Sequence, residues 1–198
     1  MAADQLTLFA PPPRHPLPEG FAYRPDVISI DEETRLLAEL APLPFKEFQF
    51  QGFEGKRRVV SFGWRYDFNE HKVLPADPIP EFLREVCRRI QQVSGFDFRD
   101  LQQVLVTQYA PGAPIGWHKD RPVFGNVMGL SLGSACTFRL RKREGDGKWQ
   151  RVSLRLEPRS AYLLSGPARW TWEHSIPPVD ALRYSITFRN RRLEDGSR

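Results

Sequence analysis

The feature that most constrains the fold is a two-residue hydrophobic period that runs from about Leu101 to the end of the chain. Strand-like runs cover positions 101–109, 126–133, 136–142, 149–156, 160–164 and 181–190, and Pro/Gly clusters or a Gly145-Asp-Gly147 turn separate them. Side chains on a strand repeat every two residues, so these runs predict short strands. Many short strands in succession predict a β-sandwich or jelly roll.

Two amphipathic helices are predicted ahead of the strands. In the first, Ser29 and Glu32 form a capping-box pattern, and the apolar stripe that follows consists of Leu36, Leu37 and Leu40. In the second, Pro80 suits the first helical position and Gly95 suits the end. Its apolar face consists of Phe82, Leu83, Val86, Ile90 and Val93. The sequence therefore predicts an α+β, mainly β chain with N-terminal helices packed outside the jelly roll.

Composition indicates one soluble domain. The chain has 198 residues, of which 40% are hydrophobic and 27% charged, and its net charge is +5. We expect a Pro-rich tail over residues 1–19, a domain over 20–192 and a short tail over 193–198. The chain has no apolar run near 18 residues and no signal peptide, so we expect a cytoplasmic protein without membrane contact. We also expect a monomer. Cys87 and Cys136 are expected to be buried free thiols rather than a disulfide.

An H-x-D tripeptide stands at the centre of the candidate chemistry. On an extended chain, His118 and Asp120 lie on one face, because strand side chains repeat every two residues. His174 follows further along the chain, within Trp-Glu-His-Ser. Two histidines and one carboxylate with open positions are the ligands of non-haem Fe(II) oxygenases, so we predict a metal site here. The alternative is that the histidines are ordinary core or surface residues.

The last predicted strand has one apolar and one polar face. The polar face carries Arg183, Ser185, Thr187 and Arg189, with the two arginines about 20 Å apart at strand rise. One interpretation is a solvent-facing edge strand. The intervening hydroxyls instead favour a polar cavity, in which a guanidinium is the preferred partner of a planar carboxylate.

Residues 45–70 combine aromatic rings with cations. Rings that offer stacking faces beside charges that meet phosphates are typical of single-stranded nucleic-acid surfaces. We take Arg58, Trp64 and Tyr66 as candidate substrate contacts from this stretch, while about half of its rings are expected to be ordinary sheet core.

Taken together, these residues resemble the AlkB-type 2-oxoglutarate- and iron-dependent dioxygenases. The resemblance rests on Tyr109-Ala-Pro-Gly-Ala, His118-x-Asp120, His174 and the alternating strand from Arg183 to Arg189. It covers about residues 20–192. It implies a double-stranded β-helix fold, Fe(II) as the metal, and 2-oxoglutarate and O2 as cosubstrates.

The resemblance also implies roles for single residues. Fe(II) would be held by His118, Asp120 and His174. Arg183 would pair with the distal carboxylate of 2-oxoglutarate, Tyr109 would hydrogen-bond the cosubstrate, and Arg189 would lie nearer the metal-bound carboxylate. The 2-oxoglutarate site would be completed by Ser185, which stands where many members have Asn, and Thr187. Arg169 resembles an arginine in the loop before the second metal-binding histidine of several relatives, and we take it as a candidate substrate contact.

The activity implied by this family is oxidative N-dealkylation of nucleobases in DNA or RNA, with release of formaldehyde, succinate and CO2. Many nucleic-acid-repairing members have an acidic residue two positions past the metal-binding Asp, where this chain has Pro122. Two alternatives therefore stay open: hydroxylation or demethylation of a protein side chain, and a non-catalytic jelly-roll binding module. In the tail, Gln5-Leu-Thr-Leu-Phe9 resembles the peptides by which bacterial repair proteins dock on the sliding clamp.

Overall fold

The computed structural model describes residues 16–50, 53–67, 70–145 and 147–191. The predicted clamp-docking peptide, Gln5–Phe9, and the C-terminal tail from residue 193 lie outside these residues. No helix within the described ranges is long and apolar enough to cross a membrane.

Three helices occur in the described part of the chain: α1 (Ile30–Leu40), α2 (Glu81–Ser94) and α3 (Gly166–Trp170). The predicted capping box starts α1, because Ser29 accepts a hydrogen bond from the Glu32 N–H and Glu32 accepts one from the Ser29 N–H. Pro80 is the N-cap of α2 rather than its first helical residue, so the predicted start is off by one position. Gly95 ends α2 with a φ of +70°, a left-handed conformation that glycine adopts without strain.

The strands account for most of the remaining chain. Those before the second helix are β1 (Phe21–Arg24), β2 (Lys46–Phe50), β3 (Phe53–Phe62), β4 (Trp64–Asp67) and β5 (Lys72–Pro75). Those after it are β6 (Leu101–Tyr109), β7 (Ile115–His118), β8 (Phe124–Gly133), β9 (Cys136–Arg143), β10 (Trp149–Leu156), β11 (Ala161–Leu164), β12 (Glu173–Ile176) and β13 (Arg183–Arg191). All six predicted strands are present, and the two-residue period is therefore confirmed as a sheet signal.

These strands form two antiparallel sheets and a short hairpin. The large sheet has the order β1-β11-β8-β13-β6-β3-β2, the small sheet β10-β9-β12-β7, and the hairpin is β4-β5. Most paired strands in the two sheets are not consecutive in the chain, as in β1-β11, β8-β13 and β12-β7, which is typical of a jelly roll. The predicted fold class is confirmed.

Two apolar cores lie on opposite faces of the large sheet. One contains the buried faces of both long helices together with the even-numbered residues of β13, among them Ile186 and Phe188. The other contains residues of both sheets, including Phe138, Leu140 and Tyr162. The odd-numbered residues of β13, from Arg183 to Arg189, are buried and face this second space between the sheets. The solvent-facing interpretation of that strand is therefore wrong.

Both cysteines are buried free thiols, as predicted. Cys87 lies in α2, where burial raises the pKa of its thiol to about 12. Cys136 begins β9, and burial also raises its pKa. Both thiols are therefore protonated and unreactive at neutral pH.

Candidate active site

Two histidines meet across the edge of the small sheet. His118 ends β7 and pairs directly with His174 of β12, so both imidazoles point to the same face. Their ring centroids are 4.2 Å apart. Asp120 lies two residues past the end of β7, and its Oδ2 is 3.6 Å from His174 Nε2. The H-x-D tripeptide and the distant histidine therefore come together as predicted, although Asp120 belongs to a loop rather than to the strand.

The protonation states of these three groups suit a metal. The Nδ1 of His118 lies 2.9 Å from the Gly116 carbonyl, and donation from Nδ1–H leaves Nε2 as a free lone pair. Burial lowers the pKa of His118, and burial together with the His118 ring lowers that of His174 to about 3. Burial alone would raise the pKa of Asp120, but nearby positive charge, that of Arg189 above all, outweighs burial and lowers the pKa. Two neutral imidazoles and a carboxylate are the forms that bind metal ions.

Arg189 binds one of the two carboxylate oxygens of Asp120. Arg189 donates to Asp120 Oδ1 from Nε at 2.9 Å and from Nη2 at 2.5 Å, while Oδ2 faces His174. Among the described residues, no three His, Cys, Asp or Glu side chains already stand in a finished metal-binding arrangement. The donor set fits a divalent metal, and His118, Asp120 and His174 could hold one after small side-chain rotations.

A second group of residues at this site is prepared for a carboxylate. Arg183 has no exposed surface, and its Nη2 donates to Ser131 Oγ at 3.2 Å. Within the described residues, its Nε and Nη1 have no hydrogen-bond partner. Buried donors are almost always satisfied, and a guanidinium with two unused N–H groups matches a planar carboxylate. The arrangement therefore fits the distal carboxylate of 2-oxoglutarate.

Other predicted cosubstrate residues line the same space. Tyr109 lies with its ring 5.0 Å below the Arg183 guanidinium carbon, and burial raises the pKa of its hydroxyl. Ser185 and Thr187 are buried on the face of β13 that carries both arginines. The structure therefore brings all five predicted cosubstrate residues to one space, in which Arg189 contacts Asp120.

Two residues of this site were not predicted from the sequence. Tyr162 of β11 is buried against Phe138, and the pKa of its hydroxyl is raised by burial and by the charge of Asp120. Gln103 of β6 accepts a hydrogen bond at 2.8 Å from Arg189 Nη1, which positions the guanidinium on Asp120. A lone tyrosine within the apolar run 161–164 was the available signal for Tyr162.

The predicted substrate residues fall in different places. Tyr66 stacks under Arg121 with the guanidinium carbon 4.7 Å from the ring centroid, so it reaches the loop that carries Asp120. Trp64 is half-buried on the same strand, two residues earlier. Both belong to the β4-β5 hairpin, of which Tyr66 contacts the loop at the rim of the site.

The prediction for Arg58 is not supported. Arg58 pairs with Gln108, donates to the Phe45 carbonyl at 3.1 Å and lies on the helix side of the large sheet. Its neighbour Arg57 pairs instead with Tyr109, and the charge of Arg57 acts on Tyr109 and His118. Strand alternation thus turns Arg57, rather than Arg58, toward the site.

Arg169 also has a different role from the predicted one. It is 2% exposed, and its guanidinium donates to four backbone carbonyls at 2.7–3.2 Å: those of Asp120, Arg121, Phe124 and Gly125. A guanidinium occupied in this way holds the loop after β7 and is not presented to a substrate.

Comparisons with known proteins agree with this geometry. A model of the 2OG-Fe(II) oxygenase superfamily matches residues 20–193. The tRNA (carboxymethyluridine(34)-5-O)-methyltransferase ALKBH8 of Mus musculus is 32% identical over 181 residues, which cover 87% of this chain and 27% of that protein. The alkylated DNA repair protein ALKBH8 homolog of Arabidopsis thaliana is 27% identical over 198 residues, 87% of this chain and 56% of that protein.

More distant proteins share the fold. The alpha-ketoglutarate-dependent dioxygenase AlkB of Escherichia coli (strain K12) is 25% identical over 146 residues, which cover 64% of this chain and 66% of that protein. The solved structure of OsALKBH1 superposes with a TM-score of 0.66 at 15% identity, and covers 91% of this chain and 100% of its own. This last likeness concerns the fold alone.

Proposed function

Because the chain belongs to the 2OG-Fe(II) oxygenase superfamily as an AlkB-type dioxygenase, we propose that it removes N-alkyl groups from nucleobases of DNA or RNA by oxidation. It is an enzyme that uses Fe(II), 2-oxoglutarate and O2. The observation that carries the proposal is the meeting of His118, Asp120 and His174 with a buried, partly unsatisfied Arg183 in one space.

In this proposal, His118, Asp120 and His174 hold the metal. When bound, Fe(II) with 2-oxoglutarate and O2 supplies the oxidation of a substrate C–H to C–OH, while 2-oxoglutarate becomes succinate and CO2. If the carbon is an N-methyl group, the resulting N–CH2OH loses formaldehyde and leaves the bare amine. Arg189 keeps Asp120 ionised and oriented, so that the carboxylate is ready as a ligand.

The remaining residues of the space place the cosubstrate. Arg183 would take the distal carboxylate with its two unused N–H groups. Tyr109, Ser185 and Thr187 would supply hydrogen bonds along the chain of the ketoacid, since all three are buried in the space that Arg183 lines. The apolar contacts of Phe138 with Tyr162 and His174 would exclude water from the other side.

The choice of a nucleic acid rests on charge and on relatives. The chain carries a net charge of +5, and Trp64, Tyr66 and Arg121 give the rim of the site stacking rings and a cation. Two relatives have names that refer to tRNA and to alkylated DNA repair. These features support a nucleobase as the substrate rather than a protein side chain.

The proposal is tested with formaldehyde and succinate assays on the Fe(II)- and 2-oxoglutarate-loaded enzyme. The substrates are N-methylated forms of single-stranded DNA, duplex DNA and RNA, together with a methylated peptide, all at the same concentration. We expect formaldehyde from at least one nucleic acid, and none from any substrate with the variants His118→Ala, Asp120→Ala or His174→Ala. Formaldehyde from the peptide alone would overturn the substrate class, and full activity in any variant would overturn the ligand assignment.

The cosubstrate assignment has its own measurement. Arg183→Ala leaves the distal carboxylate without its partner, so we expect anaerobic 2-oxoglutarate binding to weaken by about 2–5 kcal/mol. Arg183→Lys keeps the charge but loses the two-pronged geometry, and an intermediate affinity is expected. Unchanged affinity in the alanine variant would assign the carboxylate to Arg189 instead.

A further inference from the structure

The outer face of the small sheet carries a dense set of arginines. Leu140 and His174 point inward, so alternate residues of the neighbouring strands point outward. The outward arginines of β9 and β10 are Arg139, Arg141, Arg143, Arg151 and Arg155. Along a strand such residues repeat about every 6.7 Å, and adjacent strands lie about 4.8 Å apart, so the guanidinium groups form a grid.

Most of this positive charge is not neutralised within the protein. Arg141 pairs with Glu173 at 2.6 Å, and Arg155 pairs with Glu157 at 2.6 Å. Arg139 has a neutral partner, Ser175 Oγ, at 3.0 Å. In the described part of the chain, Arg143 and Arg151 make no ion pair, and both are exposed. Three guanidinium groups on this face thus remain without a compensating carboxylate.

Tryptophan rings lie among these cations. Arg141 stands between two of them, with its guanidinium carbon 4.4 Å from the Trp117 ring centroid and 4.2 Å from that of Trp149. Arg139 stacks on Trp117 as well, at 5.0 Å. The stacked guanidinium groups keep these large, half-buried rings on a polar face of the sheet, outside the two apolar cores of the described residues. Cations fixed beside rings are the features by which proteins bind single-stranded nucleic acid.

A groove of about 640 Å³ runs beside this face. Its cations and rings are Lys119, Arg141, Lys142, Arg143, Trp149 and Trp170. Glu144 and Glu173 also line it, but its four Lys and Arg side chains outnumber these two carboxylates, and its charge is positive overall. The groove reaches Lys119, the residue between the candidate ligands His118 and Asp120. The groove therefore belongs to the outer face and passes next to the chain segment that carries two of the candidate ligands.

We propose that this face is a second nucleic-acid surface, which binds single-stranded DNA or RNA flanking the base that occupies the active site. Backbone phosphates lie on the guanidinium groups of Arg139, Arg143 and Arg151, and bases stack against Trp149. The inference rests on the proposed function for the presence of a nucleic acid, and it places the flanking strand on the opposite face of the small sheet from the ligands. The rim hairpin with Trp64 and Tyr66 is a separate contact.

The experiment measures binding without turnover. The full chain, loaded with Mn(II) and 2-oxoglutarate, is titrated with fluorescein-labelled unmodified 16-nucleotide DNA and RNA over a range of salt concentrations. The test variant is Arg143→Ala/Arg151→Ala. The control variant, Arg35→Ala/Arg88→Ala, removes the same net charge from exposed positions of α1 and α2.

We expect the test variant to bind about tenfold more weakly at low salt, and its log–log salt slope to fall by about 1.4, because two phosphate contacts are lost. The control should stay within about twofold of the parent chain. Equal losses in both variants would mean non-specific charge attraction and overturn the proposal, as would no loss in either.

The partner class is decided by competition. A poly-glutamate peptide at matched charge should not displace the oligonucleotide, because it offers no bases to stack. Displacement by the peptide would make this face a site for acidic proteins and overturn the proposal. Since no turnover is needed, the binding result stands apart from the formaldehyde assay, and failure of either leaves the other interpretable.

Discussion

Gly129 lies in the middle of β8, and the ring of Tyr162 occupies the space that a side chain at this position would need. The two residues are direct partners across β8 and β11, and a Cβ on Gly129 would lie 2.3 Å from the tyrosine ring and 2.6 Å from its hydroxyl. Thr187 of β13 flanks Gly129 on its other side. The Tyr162 ring can pack against β8 next to the cosubstrate space only because residue 129 has no side chain.

We expect Gly129→Ala to destabilise the protein by about 1–3 kcal/mol, because the ring must leave a packed position. Urea unfolding of the metal-free chain measures this. In a Tyr162→Ala background the same change should cost much less, since the clashing ring is gone. Gly145→Ala, at a position with nothing within 4 Å, is the control and should be nearly neutral. Equal costs for the change at both glycines would contradict the clash.

At the scale of elements, the five-residue helix α3 supplies the arginine that holds the loop between β7 and β8. Arg169 in its last turn donates to carbonyls from Asp120 to Gly125, and so closes the loop between β7 and β8. Asp120 receives one of these bonds on its backbone while Arg189 holds its side chain. Two buried arginines from different elements therefore place one carboxylate.

We expect Arg169→Lys to weaken Mn(II) binding by about tenfold or more, because an ammonium cannot reach four carbonyls at once. Isothermal titration of the folded variant with Mn(II) measures the change, and far-ultraviolet circular dichroism reports whether the sheets persist. Arg99→Lys, at an exposed loop position, is the matched control and should bind normally. Normal Mn(II) affinity in Arg169→Lys would show that the loop does not need this arginine.

At the scale of the whole molecule, the site lies between the two sheets, and its buried titratable groups make the stability of the fold depend on pH. His174 has a pKa of about 3 in the folded chain against an ordinary 6.5, and burial also lowers that of His118. As the pH drops from about 6.5 toward 3, the unfolded chain therefore binds protons at these histidines while the folded chain does not. The free energy of unfolding falls over this pH range. Asp120 acts in the same direction below about pH 4, because its pKa is also lowered.

We expect the metal-free chain to lose roughly 2 kcal/mol of unfolding free energy through His174 between pH 7.5 and 5, and His118 adds a loss in the same direction. Urea titrations at the two pH values measure it. A His118→Gln/His174→Gln chain has neither titrating group and should lose markedly less. If both chains respond to pH alike, other groups carry the acid sensitivity.

Much of this architecture could be predicted because it depends on local periodicity. Strands β6 and β10 have the predicted bounds, and the polar face of β13 was evident from alternation alone. The choice between Arg57 and Arg58 was not, because it depends on which of them pairs with Tyr109 across β3 and β6. Arg169 was misassigned for a related reason: its four partners lie 44–49 residues away in sequence.

The alternation of the small sheet also separates two kinds of change. Trp117 and His118 are neighbours in the chain, as are Glu173 and His174, yet each pair divides between the outer and inner faces. A substitution at Trp117 or Glu173 therefore changes the outer face of the sheet without changing the two histidines on its inner face. Insertions are not tolerated in the same way, because a one-residue slip would exchange the residues of the two faces. Such a slip in β7 or β12 would bring Trp117 or Glu173 to the inner face and remove a histidine from the candidate metal site.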